Sequence, residues 1–94
     1  MPRTLTAARA IVPAGREREY LDGLRRLATE ARQRGARVWV FRNRAAPEAF
    51  LEFVESADDT AAARSTREIA IERTLRDVAT YGPDAEDLWE ECAL

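Results

Sequence analysis

Two short runs decide the fold: Arg37-Val38-Trp39-Val40-Phe41-Arg42 and Phe50-Leu51-Glu52-Phe53-Val54-Glu55. Between them, Asn43-Arg44-Ala45-Ala46-Pro47-Glu48 carries turn chemistry, with Pro47 removing a ladder donor. A half-buried strand alternates apolar and polar residues. These two strands are apolar on both faces, so the hairpin from Ala36 to Glu55 needs cover on both sides. A chain of 94 residues offers one modest core and too little material to supply both covers. The pattern therefore predicts a partner subunit, a ligand cavity, or both.

Outward from the hairpin, Thr4 to Val12 reads as a strand weakened by its alanines and ended by Pro13-Ala14-Gly15. A helix is predicted from about Arg16 to Arg34. Its stripe is Tyr20, Leu24, Leu27, Ala28 and Ala31, with Leu21 at the edge and Gly35 as the C-terminal cap. Gly23 is a mild defect inside it. After Glu55 the helical phase is broken: Ile71, Leu75 and Val78 share a face that Ile69 and Ala62 do not. Ser65 and Glu68 have capping-box spacing, which predicts a short helical turn over about 59–64 and a new helix from Thr66 to Thr80. Gly82-Pro83 follows. The tail with Leu88, Trp89 and Cys92 reads as a last strand, with a capped helical turn as the competing reading.

The order strand, helix, strand, strand, helix, strand defines an α+β chain of ferredoxin-like split βαββαβ type, a single domain over residues 1–94 with an antiparallel sheet and two helices on one face. Registering the hairpin by pairing Phe41 with Phe50 places Val38, Val40, Leu51 and Phe53 under the helices. The other face then carries Trp39, Phe41, Phe50 and Val54 around Glu52. Three aromatic side chains there would expose on the order of 500 Å² of apolar surface. The largest patch on a typical monomer is about 300–600 Å². A homodimer in which two sheets pack face to face is the expected solution.

Composition narrows the chemistry. The formal charge is −2 and no basic footprint for nucleic acid is visible. All fifteen basic residues are Arg, so a Schiff-base lysine, a histidine base and histidine metal ligation are excluded within this chain. No metal site and no cofactor are expected. Lone Cys92 suits a reducing cytosol, and no run approaches signal-peptide or membrane-span length, so the expectation is a cytoplasmic protein away from membranes.

Over most of its length the chain resembles the dimeric α/β-barrel superfamily, and most of all its small antibiotic-biosynthesis-monooxygenase-like (ABM-like) members. The similar features are the element rhythm, the Pro47 turn into Phe50-Leu51-Glu52, and the helix interruption at Ala63-Arg64-Ser65. Such proteins include cofactor-independent oxygenases of aromatic polyketides and haem-degrading enzymes. The haem-degrading members use a histidine iron ligand, which this chain lacks. Where many relatives carry histidine near the interruption, this chain has Arg64-Ser65-Thr66-Arg67.

The resemblance implies a small-molecule-binding barrel acting on a phenolic or quinone-like aromatic substrate, with Trp39 against the substrate. Glu52, where relatives often have Glu, is the candidate proton acceptor, because burial raises a carboxyl pKa. Trp39, Phe41, Phe50, Arg9 and Asn43 are the candidate substrate-binding residues. Competing readings stand beside each: Trp39 as dimer core, Glu52 in an ion pair with Arg9, Asn43 serving its turn, and Tyr20 and Tyr81 as helix-packing residues. The alternative function is a non-catalytic dimerisation or ligand-sensing module with a packed barrel interior.

Overall fold

In the computed structural model, which describes residues 3–56 and 64–94, the element order is β1 (Thr4–Ile11), α1 (Glu17–Arg32), β2 (Arg37–Arg42), β3 (Ala49–Ser56), α2 (Thr66–Val78), β4 (Thr80–Tyr81) and β5 (Leu88–Glu90). The strands form one antiparallel sheet in the order β2-β3-β1-β4, with β5 also pairing β1. This is the predicted ferredoxin-like arrangement. The tail contributes the short strand β5 as expected, and β4, which the sequence pattern does not predict, lies with it on the free edge of β1. Residues 59–63 of the expected short helical turn lie outside the described residues.

Local chemistry accounts for the element boundaries. At the end of α1, Gly35 adopts φ 81°. Its N–H bonds the Arg32 carbonyl at 3.0 Å, and the Ala36 N–H reaches back to Ala31 at 3.0 Å. That pair of bonds is the Schellman closure, which needs a residue free to take a left-handed conformation. At the start of α2, Ser65 Oγ accepts from the Glu68 N–H at 3.1 Å, and Glu68 Oε2 accepts from the Ser65 N–H at 2.9 Å. The expected capping box is therefore present. Helix α2 ends at Val78 rather than Thr80, because the chain turns there into β4.

The hairpin register differs from the sequence expectation by one residue. Arg42 pairs with Phe50, Val40 with Glu52 and Val38 with Val54. The turn sets this offset: Asn43 Oδ1 accepts from the N–H groups of Ala45 and Ala46, and the Asn43 N–H closes on the Ala49 carbonyl at 2.9 Å. Since side chains alternate with period two, a one-residue slip exchanges the faces of β3. Phe50, Glu52 and Val54 point to the helices; Leu51 and Phe53 point away with Trp39 and Phe41. The expected aromatic face with Glu52 at its centre is thereby corrected.

The core lies between the sheet and the helices. Ala10 of β1, Val12 just after it, Tyr20, Leu24 and Leu27 of α1, Phe50 of β3 and Leu75 and Val78 of α2 are all buried there. The Tyr20 and Phe50 rings pack with centroids 5.0 Å apart. On the far face, Trp39, Phe41, Ile11 and Trp89 stay largely exposed, and Phe41 meets Phe53 edge-on at 5.8 Å.

Candidate functional site

Glu52 is 6% exposed and points from the middle of β3 toward the helices. A buried carboxyl needs donors, because desolvation without hydrogen bonds costs several kcal/mol. Two tyrosines supply them. The Tyr20 hydroxyl, from the buried stripe of α1, donates to Glu52 Oε2 at 2.6 Å. The Tyr81 hydroxyl, from β4, donates to the same oxygen at 2.5 Å. Both distances fall in the range of charge-assisted O–H···O bonds.

Three elements converge on this point. Pairing Ala10 with Tyr81 brings the tail across β1, pairing Ala8 with Glu52 sets the acid beside a small side chain, and α1 lays Tyr20 over both. Burial raises the Glu52 pKa above its ordinary value, against the lowering effects of the two tyrosine bonds and of the Arg76 charge. Burial, then the neighbouring carboxylate, pushes both tyrosine hydroxyls well above their ordinary range, so they remain donors.

Glu52 and Tyr81 line a cavity of about 270 Å³ between the sheet and the helices. The volume lies near the lower end of ligand pockets, which run from about 300 Å³ upward. Ala8 forms part of its wall, and here the alanines that weaken β1 as a strand have a use: a larger side chain would fill the space. Leu27 and Leu75 give it apolar surface. Charged groups surround them: Arg34 with Glu68, Arg64 with Glu72, and Arg76 with Glu86. Arg34 Nε sits 3.0 Å from both carboxylate oxygens of Glu68, and its Nη1 donates to Ser56 Oγ at 3.2 Å. This clasp joins the end of α1, the start of α2 and the end of β3. Burial also raises the Glu72 pKa, opposed by Arg64.

Of the candidate catalytic and substrate-binding residues named from sequence, Glu52 alone is in the described lining of this cavity. Phe50 is buried beneath Tyr20 and Arg42 and is not part of the described lining. Trp39, Phe41 and Arg9 lie on the opposite face of the sheet, where Arg9 pairs with Leu51 in register. The ion pair expected between Glu52 and Arg9 is therefore not formed, because the sheet separates the two side chains. Asn43 serves its turn. Tyr20 and Tyr81, read from sequence as packing residues, are the direct partners of the acid. The available signal was a tyrosine in a buried stripe, whose hydroxyl needs a hydrogen-bond partner.

The strand order and the two helices on one face define a ferredoxin-like fold. Solved structures bear this out along the whole chain. SnoaB, a cofactor-independent oxygenase from Streptomyces nogalater, matches with a TM-score of 0.76 at 16% identity, covering 100% of this chain and 95% of that one. A conserved protein from Methanosarcina mazei Go1 matches with a TM-score of 0.78 at 16% identity, over 98% of this chain and 95% of that chain. A structure described as an antibiotic biosynthesis monooxygenase matches with a TM-score of 0.68 at 16% identity, over 100% and 99% of the two chains. No family profile and no curated protein matches the sequence. Among the described residues, no helix is long and apolar enough to cross a membrane.

Proposed function

We propose that this chain is a small-molecule-binding ABM-like protein that oxygenates a phenolic or quinone-like aromatic substrate without a cofactor, with Glu52 as the proton acceptor. The observation that carries the reading is the buried Glu52 carboxyl, fixed by two tyrosine hydroxyls in the wall of a cavity. A carboxyl whose pKa is raised by burial holds a proton more strongly than an exposed one, which suits it to accept a proton from a substrate. The substrate's acidic C–H proton passes to Glu52, and the resulting anion is electron-rich enough to react with dioxygen. For an anthrone the balance is complete. The methylene becomes a carbonyl with one oxygen atom of O₂, and the second oxygen leaves as water with the two hydrogens. The resemblance in fold to a cofactor-independent oxygenase supports this reaction class.

The reading includes a homodimer formed through the open face of the sheet, where Trp39, Phe41, Leu51 and Phe53 would meet their copies. In that arrangement these residues, with Arg9, serve assembly, and the cavity on the other face serves the ligand. The test is oxygen uptake with an anthrone-type substrate. Glu52→Gln should lower the rate by roughly 10²-fold, the scale of a lost general base. An unchanged rate would remove Glu52 from the reaction.

A further inference from the structure

The two bonds to Glu52 end on one atom. Tyr20 and Tyr81 both donate to Oε2. Among the described residues no donor reaches Oε1, and no fully buried side-chain oxygen or nitrogen lacks a partner. Oε1 is thus the atom through which Glu52 meets the cavity that it lines. An ionised carboxylate accepts on both oxygens, with about four lone-pair sites. When the group is protonated, a proton on Oε2 would force a tyrosine hydroxyl to turn and accept, whereas a proton on Oε1 keeps both tyrosine bonds in place. The proton therefore takes Oε1. In either charge state the same atom takes or gives the proton.

The charges around the cavity limit what can approach. The described lining holds three arginines, Arg34, Arg64 and Arg76, and each has an acidic neighbour in the same lining: Glu68, Glu72 and Glu86. No surplus cation is left to hold an anion, and an anionic ligand would also meet Glu52. The groups that face Glu52 itself are Tyr20 from α1, Tyr81 from β4 and Arg76 from α2, while its sheet neighbours Val40 and Ala8 carry no charge. Glu72 on α2 faces Tyr81, whose pKa its charge helps to raise.

We propose that Tyr20 and Tyr81 are positioning residues that reserve Oε1 of Glu52 as the proton-exchanging atom of this cavity, and that the cavity takes a compact, uncharged hydroxyl- or methylene-bearing carbonyl or phenolic compound whose acidic proton meets that atom. The proposal rests on the reading of Glu52 as an acid–base group and adds the atom, the direction and the charge of the ligand. The exchange is balanced within the complex: the ligand's proton bonds to Oε1, and the electron pair of the broken O–H or C–H bond stays on the ligand.

The test follows the Glu52 carboxyl by ¹³C NMR across pH in ligand-free protein labelled at the glutamate side-chain carboxyl, with Glu52→Gln identifying the resonance. Tyr81→Phe removes one donor to the ionised form, so the titration midpoint should rise by about one pH unit, a tenfold gain in proton affinity. A tyrosine with only a packing role would change the melting temperature and leave the midpoint alone. A folded Tyr81→Phe with an unmoved midpoint overturns the proposal. The wild-type protein gives a second reading that needs no variant. 1-Naphthol should bind and shift the Glu52 carboxyl resonance, with at least tenfold higher affinity than 1-naphthoate, which has the same rings and a negative charge. Equal or tighter binding of the naphthoate overturns the proposal. Neither measurement reads oxygen consumption, so each outcome is independent of whether the protein is an oxygenase.

Discussion

Glu52 carries a cost that depends on pH. Its ordinary pKa is 4.5, and burial in the fold raises it. Between 4.5 and the higher folded-state value, the folded chain therefore binds more protons than the unfolded one. Stability falls as pH rises through such a window, because the unfolded state loses its proton first. Below 4.5 both states are protonated and the penalty disappears. Glu52→Gln removes the titration, so the stability of wild type relative to this variant should decline as pH rises from about 4.5 and level off above the folded midpoint. Urea unfolding at a series of pH values measures the difference. A wild type that instead gains on the variant over this range would show that the fold favours the ionised carboxylate.

The crossing of α1 and α2 shows why Gly23 interrupts a good helix stripe. A Cβ at this position would stand 2.7 Å from Leu75 Cδ2, and Leu75 is 2% exposed. Alanine there gains about 1 kcal/mol of helix propensity. Forcing an extra methyl into a packed contact costs about 1–3 kcal/mol. The second effect wins, so Gly23→Ala should lower stability by about 1 kcal/mol, seen as a lower urea midpoint at unchanged slope. Because Leu75 also lines the cavity, the same change presses on the ligand space. A stabilised Gly23→Ala would mean that Leu75 moves aside without loss. The glycine that looks like a weakness in the isolated helix is thus what lets the second helix approach.

The open face of the sheet decides what the folded chain does next. Phe41 is 58% exposed, Trp89 53% and Trp39 37%, with Ile11 at 49% beside them. The three rings alone expose on the order of 300 Å², comparable to the largest patch on many monomers. A stable interface buries about 800 Å² on each partner, and the face formed by β1, β2 and β3 is a continuous surface on which that area can be found. The proposed dimer should appear in sedimentation at micromolar concentration, and Phe41→Asp should weaken it by at least tenfold by placing a charge on its apolar face. A monodisperse wild-type monomer at that concentration would exclude assembly through this face.

Sequence alone determined the order of the elements apart from β4, the caps at Gly35 and Ser65, and the fact that both faces of the hairpin are apolar. Each of these follows from local rules: a left-handed position after a helix, a Ser and a Glu three apart, side chains alternating along a strand. It also singled out Glu52 as the acid to watch. What it could not determine was the side of the sheet on which that acid lies. Pairing Phe41 with Phe50 sorts the apolar residues as well as pairing Arg42 with Phe50 does, and only one register agrees with the six-residue turn from Asn43 to Glu48. Tertiary structure settled the matter. The two tyrosine hydroxyls that can satisfy a buried carboxyl come from α1 and β4, thirty-two and twenty-nine positions away from Glu52 in the chain, and both lie on the helix side. Hydrogen-bond satisfaction between distant residues leaves no periodic trace in a sequence, and it is that requirement which gives this protein its candidate site.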